Sequence, residues 1–336
     1  MKILVSGSTG FVGNTISRHL LEAGHEVRAM TRSSGRALKV FAASDAGKRG
    51  LAEGRLTFVE ADVTRPDTLP EAIAGADIIV QAAQFSGAPV EDPAKGLTYM
   101  NVDRNGTLNL LEAVAGTLAA STVAGAGLSD GQAALAGKPR LLYVSGITVT
   151  PESPYTWDRA KWQAEEAIRA SGLDYTIVRC APMYGKDDIS FNRLVAYSDY
   201  LPFVPVFGDG KAPLTPLFVE DTGRFFALLV AQQERASRTT FGLGGPDTVT
   251  LDGLLQMILR AMGRSRAILH IPKSVGKVQG GVMQFLPGRP LTPAAVDFVA
   301  MPGAATDVDR QLLKERFPEF ATTPLKAGLE SYLEPR

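Results

Sequence analysis

The chain has a single cysteine, Cys180, three histidines and no excess charge of either sign, with 35 basic residues against 35 acidic ones in 336. One cysteine forbids an internal disulfide and points to a reducing compartment rather than export. So few cysteines and histidines exclude most zinc frameworks, and His19, His25 and His270 are too scattered to share a metal, so none is expected. A balanced charge gives no global field to steer polyanions, which argues against nucleic acid as a partner. The clean apolar run 225–231 is far below the roughly 18 residues that span a bilayer. No Gly-x-Ser-x-Gly elbow is present, and the stretch 131–138 fails as a phosphate loop because its glycines are too far apart and Pro139 stands where Ser or Thr is needed. What remains, 45% hydrophobic and 21% charged, is an ordinary globular chain long enough for one large or two modest domains.

The N-terminus carries the first positive signal. Ile3-Leu4-Val5 lacks the charged flank and long apolar core of a signal peptide and reads as a buried strand. The turn Gly7-Ser8-Thr9-Gly10-Phe11-Val12-Gly13 follows, then Val12, Ile16, Leu20 and Ala23 at helical spacing, and Gly24-His25 close that helix before a strand over 26–30. Glycines between a strand and a helix form a phosphate-binding turn. Gly7 permits the tight bend, Gly10 lets backbone approach a pyrophosphate, and Gly13 allows close packing, while the helix N-terminus offers free N–H groups. The second strand ends in Met30-Thr31-Arg32-Ser33-Ser34. An NAD site usually places a carboxylate about 20 residues beyond the turn, yet 27–38 holds none and contains Arg32 and Arg36 instead. An arginine fork beside hydroxyls suits a 2′-phosphate, so NADP(H) is favoured over NAD(H).

The alternation then repeats. Strands are predicted over 56–60, 77–81, 141–145 and 175–179, and helices over 66–74 and 99–114. The expected fold is α/β, a Rossmann-type doubly wound parallel sheet with a smaller C-terminal substrate domain. The expected division is 1–181 plus 218–245 for the nucleotide-binding unit and 182–217 plus 246–336 for the smaller one. Ligands on such sheets bind at the carboxyl ends of the strands, where Asp62, Ala82, Ser145 and Cys180 fall.

Taken with the first turn, Asp62-Val63, Ala82-Ala83, the run 101–111 beginning Asn101-Val102-Asp103-Arg104-Asn105-Gly106-Thr107, and Phe218-Val219-Glu220-Asp221, the chain resembles the extended and atypical short-chain dehydrogenase/reductases. The resemblance implies that Asp62 contacts adenine and that Ala82 and Ala83 line the cofactor cleft. Ser8, Thr9, Phe11, Val12, Ser33, Val63, Gln84 and Asn101 complete the candidate cofactor set, together with Lys161.

The family's chemistry rests on Tyr-x-x-x-Lys, whose spacing puts both side chains on one helix face. The lysine holds the nicotinamide ribose and lowers the tyrosine pKa, so that the phenol can exchange a proton. Ser153 is expected to cap this helix, with Pro154 at its first position. Lys161 is present, but Trp157 stands four residues before it, and an indole N–H is no acid or base near neutral pH. Tyr155 lies six residues before Lys161, roughly 120° away by helical rotation. Gly146 falls where the catalytic Ser or Thr aligns, leaving Ser145 or Thr148 as substitutes. The cradle is kept and the proton-transfer pair is lost. In this the chain is similar to the atypical branch that includes the nucleotide-binding accessory subunit of respiratory complex I, whose bacterial relatives also carry a stretch like Pro290-Leu291-Thr292-Pro293.

Residues 116–137, rich in alanine and glycine, read as an insertion, either a surface loop or a partner-docking segment. Asp221 is expected to cap a helix bearing core residues Phe225, Phe226, Leu228 and Leu229, and 241–244 to rejoin the sheet. Thr250 opens a helix with an apolar face at Leu251, Leu254, Leu255, Ile258 and Leu259. Residues 270–290 mix Lys273, Lys277 and Arg289 with Val275, Val278, Val282, Met283, Phe285 and Leu286, which suits a pocket lid or a peripheral membrane or protein contact. His19 is expected on an exposed flank. Three functions stay open: an NADP(H)-binding redox protein of weak or unusual activity, an active reductase or epimerase on a carbonyl or sugar-nucleotide substrate, and a cofactor-stabilised scaffold or assembly protein. The expected location is cytoplasmic, at most peripheral to a membrane complex.

Overall fold

The computed structural model describes residues 1–86, 90–124, 138–188, 190–286 and 291–333. Short apolar runs form β1 (Lys2–Ser6), β2 (Glu26–Thr31), β3 (Leu56–Glu60), β4 (Ile78–Gln81), β5 (Arg140–Gly146) and β6 (Tyr175–Cys180). Phe203–Phe207 is β7, Thr239–Leu243 is β8 and Ala267–Ile271 is β9. Seven strands pair in the order β8-β6-β5-β4-β1-β2-β3, all parallel. The order reverses between β1 and β4, the switch point at which doubly wound sheets bind ligands.

Because side chains alternate along a strand, each face of the sheet has its own core. Ile3, Val5, Ile78, Val80, Leu142 and Val144 face one side and join α1 (Phe11–Glu22) and the later helix Val219–Ala231. Leu4, Ile79, Leu141, Tyr143 and Ile177 face the other. There they meet α4 (Leu69–Ile73), α5 (Gly106–Ala124) and α6 (Thr156–Ala170), while α2 (Ser34–Phe41) and α3 (Asp45–Ala52) follow β2. The helix Val219–Ala231 is α7.

A third core joins Tyr184, Val204, Val206 and Leu214 with α8 (Leu251–Ala261), which Thr250 caps as expected by accepting from Gly253 N at 3.1 Å. In this part of the chain β7 pairs parallel with β9. Two further helices, α9 (Lys273–Met283) and α10 (Pro293–Val299), pack together through glycines: a Cβ on Gly280 would lie 2.6 Å from the Thr292 backbone. Thr292 caps α10 by accepting from Ala295 N. Helix α11 (Asp307–Arg316) returns to the sheet side, where Phe317 is fully buried among Phe225 and Phe241.

Four expectations are corrected. The helix expected to end near Val114 runs on to Ala124, because an alanine-rich stretch keeps helix propensity after its apolar periodicity fades. Only 125–137 of the supposed insertion lie outside the described residues, as do 287–290 of the stretch 270–290. Helix α6 starts at Thr156 rather than after Ser153, since the Ser153 hydroxyl donates to Asp158 Oδ2 (2.7 Å) and Tyr155 takes the cap position. Asp221 lies inside the first turn of α7, buried, and accepts from Thr323 N (2.6 Å) and Oγ1 (2.7 Å), so it ties down the C-terminal segment instead of capping. His19 is not on an exposed flank. It faces α7, with Nε2 2.8 Å from Glu220 Oε2, and a Cβ on Gly223 would meet its ring at 2.1 Å.

Candidate functional site

The site forms at the carboxyl ends of β1 and β4. Ser6 Oγ accepts from Ala82 N and Ala83 N, both at 3.0 Å, and donates to Gln81 Oε1, joining the two strand ends across the switch point. The turn after β1 lies directly on this joint. Gly7 has φ +62°, and a Cβ there would come within 2.7 Å of Ala82 O, so both backbone and space require glycine. Gly10 N donates to Gly7 O at 2.9 Å, and a Cβ on Gly13 would sit 2.3 Å from that same oxygen. Helix α1 begins with Gly10 at its cap, no side-chain cap and no acid in its first turn. A helix N-terminus with no side chain of its own to serve its amides suits an incoming diphosphate. Asn14 Nδ2, one residue further on, is buried with no partner among the described residues. The residues present therefore fit a dinucleotide.

The other candidate cofactor residues have different duties. Ser8 is buried, its hydroxyl donating to Met30 O (2.9 Å), so it anchors the turn to β2. Thr9, Phe11 and Val12 are half-buried on the turn. Arg32 and Ser33 are exposed just past β2, and Ser33 caps α2 by accepting from Arg36 N. Glu60, at the end of β3 and opposite Thr31, lies outside the stretch after β2 in which the sequence pattern places a carboxylate. Glu60 Oε1 accepts from Ser34 N at 2.8 Å, a bond that holds its carboxyl below the usual range. Asp62 Oδ1 accepts from Thr64 N and Oγ1, both at 2.8 Å. Val63 is buried against Gly106, so only its backbone is available to a ligand. Ala83 is half-buried and Gln84 exposed, while Asn101 Nδ2 donates to Gly96 O at 2.8 Å.

The candidate catalytic residues separate into two groups. Lys161 Nζ lies 3.2 Å from Asp103 Oδ1 in a largely buried ion pair, and Asp103 Oδ2 accepts from Phe85 N at 2.9 Å. In the sequence Asp103 is only part of a helical motif; the fold brings it to Lys161. Ser145 and Thr148 are engaged elsewhere. Ser145 Oγ donates to Glu165 Oε1 (2.6 Å), a fully buried carboxylate that also binds Arg179 (2.6 Å) and Arg169 (2.7 Å). Thr148 Oγ1 donates to Asp158 Oδ1 at 2.8 Å. Burial raises the Asp158 carboxyl above its usual range, and the hydrogen bonds from Ser153 and Thr148 offset this only in part. Cys180, at the end of β6, has its thiol pushed up to about 12 by burial.

Tyr155 stacks parallel on Trp157, with ring centres 4.5 Å apart and planes 7° off. Trp157 in turn meets Tyr99 at 6.0 Å and the edge of Phe298 at 5.5 Å, and Phe85 sits T-shaped on Tyr99 at 4.9 Å. Four segments distant in sequence thus build an aromatic wall beside Lys161.

A seven-stranded parallel sheet with a glycine turn at its switch point is the frame of a dinucleotide-binding protein. The chain belongs to the NAD dependent epimerase/dehydratase family, which it matches over residues 3–244. It is 23% identical over 279 residues to the NADH-ubiquinone oxidoreductase 40 kDa subunit of Neurospora crassa, across 83% of this chain and 65% of that one. The similarity to photosystem II assembly factor Ycf39 of Synechocystis is 24% over 99% of this chain and 90% of the relative. The divinyl chlorophyllide a 8-vinyl-reductase of Zea mays is 29% identical across 85% of this chain and 66% of the relative. The chain thus spans less than two thirds of the Neurospora protein's length. Among solved structures, UDP-glucuronic acid 4-epimerase from Bacillus cereus with UDP-glucuronic acid and NAD superposes with a TM-score of 0.67 at 18% identity, over 99% of this chain and 98% of that one. The dTDP-glucose 4,6-dehydratase of Bacillus anthracis in complex with NAD gives 0.68 at 16%, over 99% and 95%. Likeness at these identities is one of fold. Among the described residues no helix is long and apolar enough to cross a membrane.

Proposed function

We propose that this chain binds NADP(H) at the turn between β1 and α1 and is an oxidoreductase-like protein of the atypical short-chain dehydrogenase/reductase type. Its turnover by the family's usual proton route is weak, unusual or absent. The observation that carries this reading is the pairing of Lys161 with Asp103 beside Trp157, where the family's pattern calls for a phenol. When bound, the nicotinamide supplies a hydride. Lys161 is placed to hold the ribose, and the first-turn amides of α1 to hold the diphosphate. Trp157 can neither accept nor release a proton there, and the hydroxyls of Ser145 and Thr148 are turned to buried carboxylates. Exposed Arg32 and Arg36 beside Ser33 support NADP(H) over NAD(H), with Asp62, Val63, Ala82, Ala83, Gln84 and Asn101 around the rest of the cofactor.

The domain division 1–181 plus 218–245 against 182–217 plus 246–336 belongs to this reading, with α11 lying back on the first unit. So does a location in the cytoplasm, peripheral to a membrane complex. A relative named as an NADH-ubiquinone oxidoreductase subunit and another named as an assembly factor favour a second role, in which bound nucleotide stabilises the fold for a protein partner by mass action. The test is titration with NADPH and NADH, followed by turnover on a carbonyl panel for the wild type and Trp157→Tyr. Tighter binding of NADPH, with activity only in the variant, supports the reading; rapid wild-type turnover instead favours an active enzyme working through Tyr155.

A further inference from the structure

We propose that the aromatic wall formed by Phe85, Tyr99, Tyr155, Trp157 and Phe298 is a binding site for a flat conjugated carbonyl compound rather than for a nucleotide sugar. The proposal rests on the reading that the nicotinamide end of a dinucleotide lies at Lys161. The wall adjoins that point, because the Phe85 N–H and the Lys161 ammonium bind the same carboxylate, Asp103.

Three features set the ligand class. First, the cluster is aromatic throughout: Tyr155 and Trp157 stack face to face within 7° of parallel, Tyr99 and Phe298 pack on buried Trp157, and Tyr155 is the half-buried outer ring of the stack. Rings arranged this way favour a conjugated ring as a further partner. Second, the wall itself contributes no cation, and both lysines beside it are already paired, Lys161 with Asp103 and Lys277, which interacts with Tyr155, with Asp297. A nucleotide sugar brings a diphosphate that needs charged forks of the arginine kind, and among the described residues no arginine belongs to this cluster. Third, the Tyr99 hydroxyl is buried without a hydrogen-bond partner among the described residues. Burial first, then the negative charge of Asp103, keeps the phenol protonated, so it remains a donor. A buried donor left unpaired is rare in a finished core and matches a ligand oxygen.

The cluster reaches the surface at α10. Phe85, Tyr99 and Trp157 are buried, whereas Phe298 is 40% exposed and lies edge-on against Trp157. Its neighbour Asp297 is tied to Lys277 of α9 at 2.9 Å, so Phe298 stands on a braced helix at the mouth of the cluster.

Calorimetric titration of the full chain saturated with NADP⁺ tests this with 2-acetylnaphthalene, its carbonyl-free analogue 2-ethylnaphthalene, and UDP-glucose. The expected result is saturable binding of the ketone and none of UDP-glucose. Tyr155→Ala should weaken the ketone about tenfold. The isosteric Tyr99→Phe should weaken it by a similar factor, about that of one hydrogen bond to a neutral oxygen, and leave 2-ethylnaphthalene unchanged. Saturable UDP-glucose binding without ketone binding overturns the proposal, as does a Tyr99→Phe effect that is equal for both naphthalenes. NADP⁺ affinity is read in the same samples. Intact NADP⁺ binding with no ketone binding removes this site alone, whereas ketone binding with no NADP⁺ binding leaves the ring site standing and removes the cofactor reading.

Discussion

Lys161 Nζ and Asp103 Oδ1 lie 3.2 Å apart, and the carboxylate is 1% exposed. Asp103 also accepts the Phe85 N–H, so one carboxylate fixes both the site's cation and the start of its aromatic wall. Removing one partner of a buried pair strands the other charge. Asp103→Ala is expected to cost about 3–5 kcal/mol, and Asp103→Asn less, because an amide oxygen still accepts from Phe85. Urea melts of both variants, combined with Lys161→Met in a double-mutant cycle, measure the coupling; additive losses would mean the two side chains do not interact.

Arg32→Ala is expected to weaken NADPH binding by tenfold or more, about the value of a charge-assisted hydrogen bond to phosphate, while NADH affinity stays level. Glu60→Gln is expected to move the ratio the other way by removing a negative charge beside Ser34. Fluorescence titrations with both nucleotides check the pair, and equal changes for NADPH and NADH in Arg32→Ala would place the 2′-phosphate elsewhere.

Glu220 gives a prediction about pH. Burial by itself would raise its carboxyl, but hydrogen bonds from His19 and Arg18 outweigh that and hold it below its ordinary 4.5. A carboxyl depressed in the folded state adds stability that is complete above the unfolded value and fades as pH falls through the folded one. Between about pH 5 and pH 3 the melting temperature should therefore fall more steeply in the wild type than in Glu220→Gln. Parallel slopes would show that the contact between α1 and α7 contributes nothing through this charge.

Phe317 is fully buried, with ring centres 5.5 Å from Phe225 and 5.6 Å from Phe241. Phe317→Ala is expected to cost about 3–5 kcal/mol, as for other large aromatic truncations in a core. A loss under about 1 kcal/mol in a denaturant melt would mean that the segment after α11 is only loosely attached.

Much of the frame was legible along the chain because parallel strands buried on both faces read as continuous apolar runs: Ile3-Leu4-Val5 and Ile78-Ile79-Val80 each feed two cores at once. The glycine turn was legible for the same local reason, since Gly7, Gly10 and Gly13 meet a strand on one side and a helix on the other. Contacts between distant segments were not. His19 looked like a surface residue because nothing in 11–22 announces that α7 covers that flank. Asp221 reads as a cap, yet it lies inside the first turn of α7 and is claimed by Thr323, 102 residues away, while Ser153 loses the cap to Tyr155 through a more local bond to Asp158. Phe298 and Trp157 touch only because α10 folds back over the site, and no motif carries that.

The bare start of α1 has a practical corollary. With Gly10 in the cap position, the amide protons of Phe11, Val12 and Gly13 have no side-chain acceptor at the cap, and they should trade with deuterated water readily until an anion covers them. Slowed deuterium uptake at these three positions would then report occupancy of the turn directly, with no chromophore, label or assayable reaction.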